Sequence, residues 1–122
     1  MRVLPALVLA VSLAACDGLV DDDVLVAFGD DYAVLQAPAG PSIDGGRLRV
    51  AVEYGGGCAE HTFTPLSYRE GGAARVWLVH DGNGDACDAL LRDDLDLALP
   101  QQAADAGRVL LLTPGGAEVR LR

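Results

Sequence analysis

Arg47-Leu48-Arg49-Val50-Ala51-Val52-Glu53-Tyr54 alternates without interruption. In an extended chain Leu48, Val50, Val52 and Tyr54 fall on one face, and Arg47, Arg49, Ala51 and Glu53 on the other. One face packs and the other meets water, as in an antiparallel sheet. Downstream, Gly55-Gly56-Gly57-Cys58-Ala59-Glu60-His61 is a glycine-rich turn. His61-Thr62-Phe63-Thr64 then alternates again, with His61 and Phe63 on one face, until Pro65 ends the pairing or places it on a sheet edge. Gly71-Gly72 marks another turn. Arg75-Val76-Trp77-Leu78-Val79 is apolar on both faces and suits a central strand. It runs into His80-Asp81-Gly82-Asn83-Gly84-Asp85-Ala86-Cys87, a polar loop with a histidine and a cysteine that mirrors the turn at residues 55–61. Residues 85–92 read as a two-turn helix with Asp85 as N-cap, or as irregular chain leading into the next strand.

Leu95, Leu97 and Leu99 alternate with Asp94, Asp96 and Ala98 until Pro100, and residues 108–122 read as a hairpin around Pro114-Gly115-Gly116. Upstream, Val24-Leu25-Val26-Ala27-Phe28 is a short strand candidate, Gly29-Asp30-Asp31 a turn, and Tyr32-Ala33-Val34-Leu35-Gln36 a second strand. Residues 37–46 hold too many prolines and glycines for regular structure. About seven short strands separated by frequent turns predict a mainly β domain, a small antiparallel sandwich or barrel with at most one short helix. There is no internal repeat.

The 122 residues allow one domain, and its six aromatics leave a core built mainly from Val and Leu. The formal net charge is −9, with 18 acidic residues against 9 basic ones, all arginine. Such a balance excludes nucleic acid and anionic lipid as charge-matched partners, since both demand clustered positive charge.

Met1-Arg2 supplies a short positive segment, and residues 3–11 an apolar one. A helix over residues 3–15 would rise about 20 Å, short of the roughly 30 Å hydrocarbon core, which predicts a cleaved export signal and not a permanent span. Leu13-Ala14-Ala15-Cys16 resembles the lipobox of bacterial lipoprotein precursors at all four positions. The resemblance implies cleavage after Ala15, a thioether-linked diacylglycerol on Cys16, and acyl chains such as palmitate holding the mature protein at the inner or outer membrane of a bacterial envelope. Residues 1–15 are then the signal peptide, residues 16–23 the lipidated cysteine and an acidic tether, and residues 24–122 a sandwich-like domain. The paired cysteine/histidine loops, over residues 54–100, are also similar to small bacterial lipoproteins of this length, a likeness that implies no activity.

Export places the chain in an oxidising compartment, so Cys58 and Cys87 are expected to pair while Cys16 carries lipid. The bridge draws His61 and His80 to one end of the sheet, near Asp81 and Asp85. Two imidazoles with carboxylates form one candidate zinc site. The competing reading is that each histidine packs at a strand end and bonds loop backbone. Asp81-x-Asn83-x-Asp85 matches the first three positions of a calcium loop. The match then fails, with Ala86 where glycine belongs and Arg92 at the twelfth position, which favours a turn whose side chains bond their own backbone. There is no nucleophile elbow, phosphate loop or zinc-protease motif. Asp93 and Asp94 are adjacent on a strand and point to opposite faces, so they make no acid/base pair.

The sequence therefore predicts a lipid-anchored, disulfide-stapled β-domain of the cell envelope, a non-catalytic binding or structural module with an unspecified protein partner. Two alternatives stand beside it: a metal-binding envelope protein using His61 and His80, and a small periplasmic inhibitor of a hydrolase.

Overall fold

A computed structural model describes residues 24–122. The predicted signal segment, Cys16 and the acidic tether lie outside the described residues. The alternating stretch becomes β3 (Arg47–Gly56), the axis of the first sheet. On one side β1 (Ala33–Leu35) and β2 (Ser42–Asp44) pair antiparallel with successive parts of β3, and on the other β6 (Ala89–Ala98) pairs along its whole length. The second sheet has the order β4 (Thr62–Glu70), β5 (Ala73–Asp81), β7 (Arg108–Leu112), β8 (Glu118–Arg120).

The two sheets face each other as a sandwich. Leu48, Val50, Val52 and Tyr54 from β3 meet Phe63, Val76, Leu78, Val109 and Leu111 from the second sheet. Leu48, Val52, Val76, Leu78, Val109 and Leu111 are wholly buried. Burial of large aliphatic side chains, at about 1.5–3 kcal/mol each, drives the two apolar faces together. β5 is an inner strand, flanked by β4 and β7; its core face is buried, and on the outer face Trp77 is buried as well while Arg75 and Val79 are half-buried. β4 continues through Pro65 as an edge strand, where a residue without an N–H is tolerated.

Three expectations need correction. Residues 24–28 form no strand; just beyond them Gly29 makes an isolated parallel bridge to His80, and Phe28 packs against the core. The breaker-rich stretch 37–46 does contain β2, which folds back on β3 through a turn at Gly45 and Gly46. Of the two readings offered for residues 85–92 the second holds: residues 85–88 are irregular and the chain enters β6 at Ala89, because Asp85 is held by the opposite loop. Among the described residues the one helix, α1 (Gln101–Ala104), follows Pro100 and buries Ala103. By crossing from the first sheet to the second, α1 delivers β7 parallel to β5, so the second sheet is mixed and not wholly antiparallel.

The hairpin turn at Gly71 and Gly72 fixes the register of β4 on β5, with Phe63 opposite His80 and Thr62 opposite Asp81. That register puts His80 on the core face and Asp81 on the outer one. The site is built from this difference.

Candidate functional site

At the open end of the sandwich, the loop after β3 and the loop after β5 are clamped by a disulfide between Cys58 and Cys87, with Cα atoms 5.8 Å apart. Between them lies the carboxylate of Asp85. Its Oδ2 accepts three successive backbone N–H groups, from Gly57 (2.9 Å), Cys58 (3.1 Å) and Ala59 (3.1 Å). It also accepts from His61 Nε2 at 2.7 Å, while Oδ1 accepts from Cys87 N at 3.0 Å. Consecutive amides curled around one oxygen form an anion nest, and here the anion belongs to the chain itself. The Asp85 side chain is 1% exposed and that of His61 4%. The His61 hydrogen bond, helped by the backbone donors, holds the Asp85 carboxyl well below the usual carboxylate range.

His61 lies against His80, Nδ1 to Nε2, at 2.8 Å. His80 Nδ1 in turn faces the carbonyl oxygens of Asp30 (3.1 Å) and Asp31 (3.2 Å). The protons of this chain can be counted. Carbonyl oxygens only accept, so His80 Nδ1 carries a hydrogen; an ionised Asp85 only accepts, so His61 Nε2 carries one too. The central N–N contact needs one more, on either ring. Filling all three contacts would use three ring protons, one more than two neutral imidazoles hold, with the Asp85 carboxylate alongside.

Aromatic rings wall the pair. Phe63 stacks on His80 with centroids 4.3 Å apart and planes 2° from parallel, and Tyr54 covers His61 at 4.7 Å. The Tyr54 hydroxyl donates to Asp93, which pushes its own ionisation up to about 12. The Tyr32 hydroxyl donates to Leu78 O at 2.7 Å, and burial raises its ionisation above the normal phenol range. Gly56 makes the close packing possible, since a Cβ there would lie 2.5 Å from His61 Nε2 and 2.6 Å from Asp85 Oδ2. The segment Phe28-Gly29-Asp30 closes the far side through His80 N to Phe28 O (2.8 Å), Asp30 N to His80 O (2.9 Å) and Gly82 N to Asp30 Oδ2 (2.7 Å).

Of the four residues singled out as candidate ligands, the fold brings together His61, His80 and Asp85. Asp81 is placed elsewhere: its Oδ1 caps its own turn by accepting Asn83 N at 2.8 Å, and it lines a separate small hollow with Glu60 and Thr62. Asp81 and Asp85 thus face different partners and do not converge as in a calcium loop. A zinc ion on His61 and His80 would have to displace a bond that each ring nitrogen already makes. The sulfurs of Cys58 and Cys87 lie within 4.8 Å of an Asp85 oxygen, but sulfurs joined to each other present no thiolate. Sequence reasoning missed the carbonyls of Asp30 and Asp31, the Tyr54–Asp93 pair and the nest. Only the run Gly55-Gly56-Gly57 hinted at a close approach.

No protein-family model matches the chain, and no curated protein does. The fold has a counterpart in a NigD-like immunity protein from Bacteroides caccae. The two superpose with a TM-score of 0.52 at 18% sequence identity, over 77% of this chain and 50% of the other. The present chain therefore spans about half the length of that protein, and at this identity the likeness establishes the fold alone.

Around the histidine pair the end of the sandwich opens into a cavity of about 390 Å³, whose lining includes Asp30, Asp31 and Asp88 together with Gly55, Gly82 and Gly84. The carboxylates of Asp30, Asp31 and Asp88 give this mouth a negative field. It suits a cationic side chain and repels phosphates and carboxylates.

Proposed function

We propose that this chain is a lipid-anchored envelope protein that binds a basic partner protein and performs no chemistry of its own. The observation that carries the reading is the saturation of the Asp85–His61–His80 chain. Every ring nitrogen and both Asp85 oxygens are spent on internal bonds. Such a network fixes two loops in place and leaves none of its own ring nitrogens or carboxylate oxygens free to act as a general base or to activate a nucleophile. What the cavity offers outward is charge and shape.

The net charge of −9 supports the same reading, since acidic surfaces speed encounters with basic proteins. The fold is one that a NigD-like immunity protein also uses, which is compatible with a protein partner, a secreted toxin or a hydrolase, and keeps the inhibitor alternative within the same account. The lipobox supports attachment through Cys16 at the inner or outer membrane, with the domain outside the cytoplasm.

The test is chemical cross-linking of the full-length chain in its own envelope, with the double variant Asp31→Lys, Asp88→Lys alongside. A basic protein captured by the unaltered chain and lost from the variant is expected. Equal capture by both, or capture of nothing, refutes the proposal. Mass spectrometry of the same material should find a diacylated Cys16 at the amino terminus; an intact leader refutes the anchor.

A further inference from the structure

We infer that the outer edge of β6 is a docking strand for an extended, cation-bearing segment of another protein, an inference that rests on the partner-binding reading above. β6 pairs with β3 over its full ten residues, from Ala89 opposite Gly56 to Ala98 opposite Arg47. Among the described residues its other edge pairs with no strand. A long row of unpaired backbone donors and acceptors is a template for a further strand.

Two features separate this edge from β4, the longer of the two edge strands of the second sheet beside the three-residue β8. β4 carries Pro65, which removes a donor, whereas β6 has no proline. The core-facing side chains of β6, Leu91, Leu95 and Leu97, stay half-buried, while their β3 partners Tyr54, Val50 and Leu48 are buried. Leu90, at the head of the strand, is 73% exposed. An added strand would cover this apolar margin.

The charges on β6 choose the occupant. Asp93 is engaged by the Tyr54 hydroxyl and Asp96 by Arg47 at 2.6 Å, but Asp94 has no hydrogen bond or ion pair among the described residues. Antiparallel pairing of β6 with a second copy of itself, centred on Asp93, Asp94 or Leu95, sets at least two aspartates directly opposite, an unfavourable arrangement that Arg92 offsets in the first two registers by facing Asp94 or Asp96 and does not offset in the third. Each copy also carries a net charge of −9. The same carboxylates that disfavour a second copy fit a strand with lysine or arginine at alternate positions, which would face Asp94 and Asp96 together.

The experiment uses the full-length chain in its own envelope, with a photoreactive benzoylphenylalanine in place of Leu90 or Asp94 on β6, Leu66 on β4, or Asp31 in the cavity. Expected are adducts from the two β6 positions to a lysine- or arginine-rich segment of a different protein. In a Leu90-labelled chain that also carries Asp94→Lys they should fall about tenfold, as loss of an interfacial charge match predicts. Circular dichroism of that variant checks that the sandwich persists, and Asp94→Asn provides a milder change of the same sign. Adducts between two copies of this chain, or with a segment lacking basic residues, overturn the inference. Adducts confined to position 31 or 66 overturn it while leaving a partner in place; none at any position removes the partner-binding reading as well.

Discussion

His61 Nδ1 and His80 Nε2 lie 2.8 Å apart, although His61 sits in the loop before β4 and His80 on β5. Filling that contact together with the one to Asp85 asks both rings for one proton more than two neutral imidazoles hold, and the Asp85 carboxylate at the other end of His61 is its counter-charge. The disulfide, the Gly57–Ala59 amides and the aromatic walls all serve to keep that carboxylate in place. Together these bonds hold the two loops in one arrangement.

Asp85→Asn should dismantle it. An amide cannot accept at both positions, so its NH2 group would face either the Cys87 N–H or the nest. The third ring proton also loses its counter-charge. In ¹⁵N-detected histidine spectra the unaltered protein should show three protonated ring nitrogens of four, and the variant two, with a lower melting temperature. Identical spectra from the two proteins would show that Asp85 does not set the count.

Acid should unfold the protein through the same group. Because the folded state holds the Asp85 carboxyl below its ordinary value of 3.8, the group's contribution is complete above that value. It is lost as pH falls from there toward the folded-state value, since the unfolded chain then takes up the proton first. Melting temperatures measured from roughly pH 5 down to pH 2 should fall more steeply for the unaltered protein than for Asp85→Asn. Parallel curves would sink the argument.

Cys58→Ala should lower stability by roughly 3–4 kcal/mol on the chain-entropy account, in which a cross-link restricts the unfolded chain. The bridge closes a sequence separation of 29 residues. Since Cys58 N also binds Asp85, loosening this loop should raise amide exchange at Gly57 and Ala59 in particular. Oxidised protein with the same denaturant midpoint before and after substitution would show that the staple is idle.

Tyr54→Phe tests the outer wall. Its hydroxyl, held by Asp93, ionises only at about 12, above the usual phenol value of 10.0. A group with a raised folded-state value stabilises fully below the unfolded value and loses that contribution as pH climbs through the folded one. Absorbance titration at alkaline pH should therefore show a late phenolate step that the variant lacks, and the unaltered protein should lose stability over that interval. A titration unchanged by the substitution would assign the late step to another tyrosine.

Much of this architecture was legible before any coordinates. The alternation of residues 47–54 announced β3, Pro65 marked an edge, and the doubly apolar run 76–79 announced a central strand. Counting back from Gly71-Gly72 even sets Phe63 opposite His80, so the meeting of the two histidines was available to pattern reading. The direction of β7 was not, because it depends on four residues of α1 crossing between sheets. Nor was the role of Asp85, whose position suggested a helix cap or a metal ligand. Its backbone partners Gly57, Cys58 and Ala59 lie 28, 27 and 26 residues away, and no local signal records such a contact.

Gly56 and Gly55 provide the sharpest test, because they are neighbours on one strand with opposite surroundings. A Cβ on Gly56 would press into His61 and Asp85 at 2.5–2.8 Å, whereas one on Gly55 meets nothing within 4 Å. Gly56→Ala must therefore push the imidazole off the carboxylate or move the strand, and overpacking of this kind typically costs about 1–3 kcal/mol. Gly55→Ala should stay within about 0.5 kcal/mol of the unaltered protein, as surface substitutions do. Denaturant midpoints for the two, read beside the histidine ¹⁵N spectra, should separate them, with the three-proton signature kept in Gly55→Ala and altered in Gly56→Ala. Equal stability and equal spectra for both variants would mean that the rings and the carboxylate are less tightly packed than the close approach at Gly56 implies.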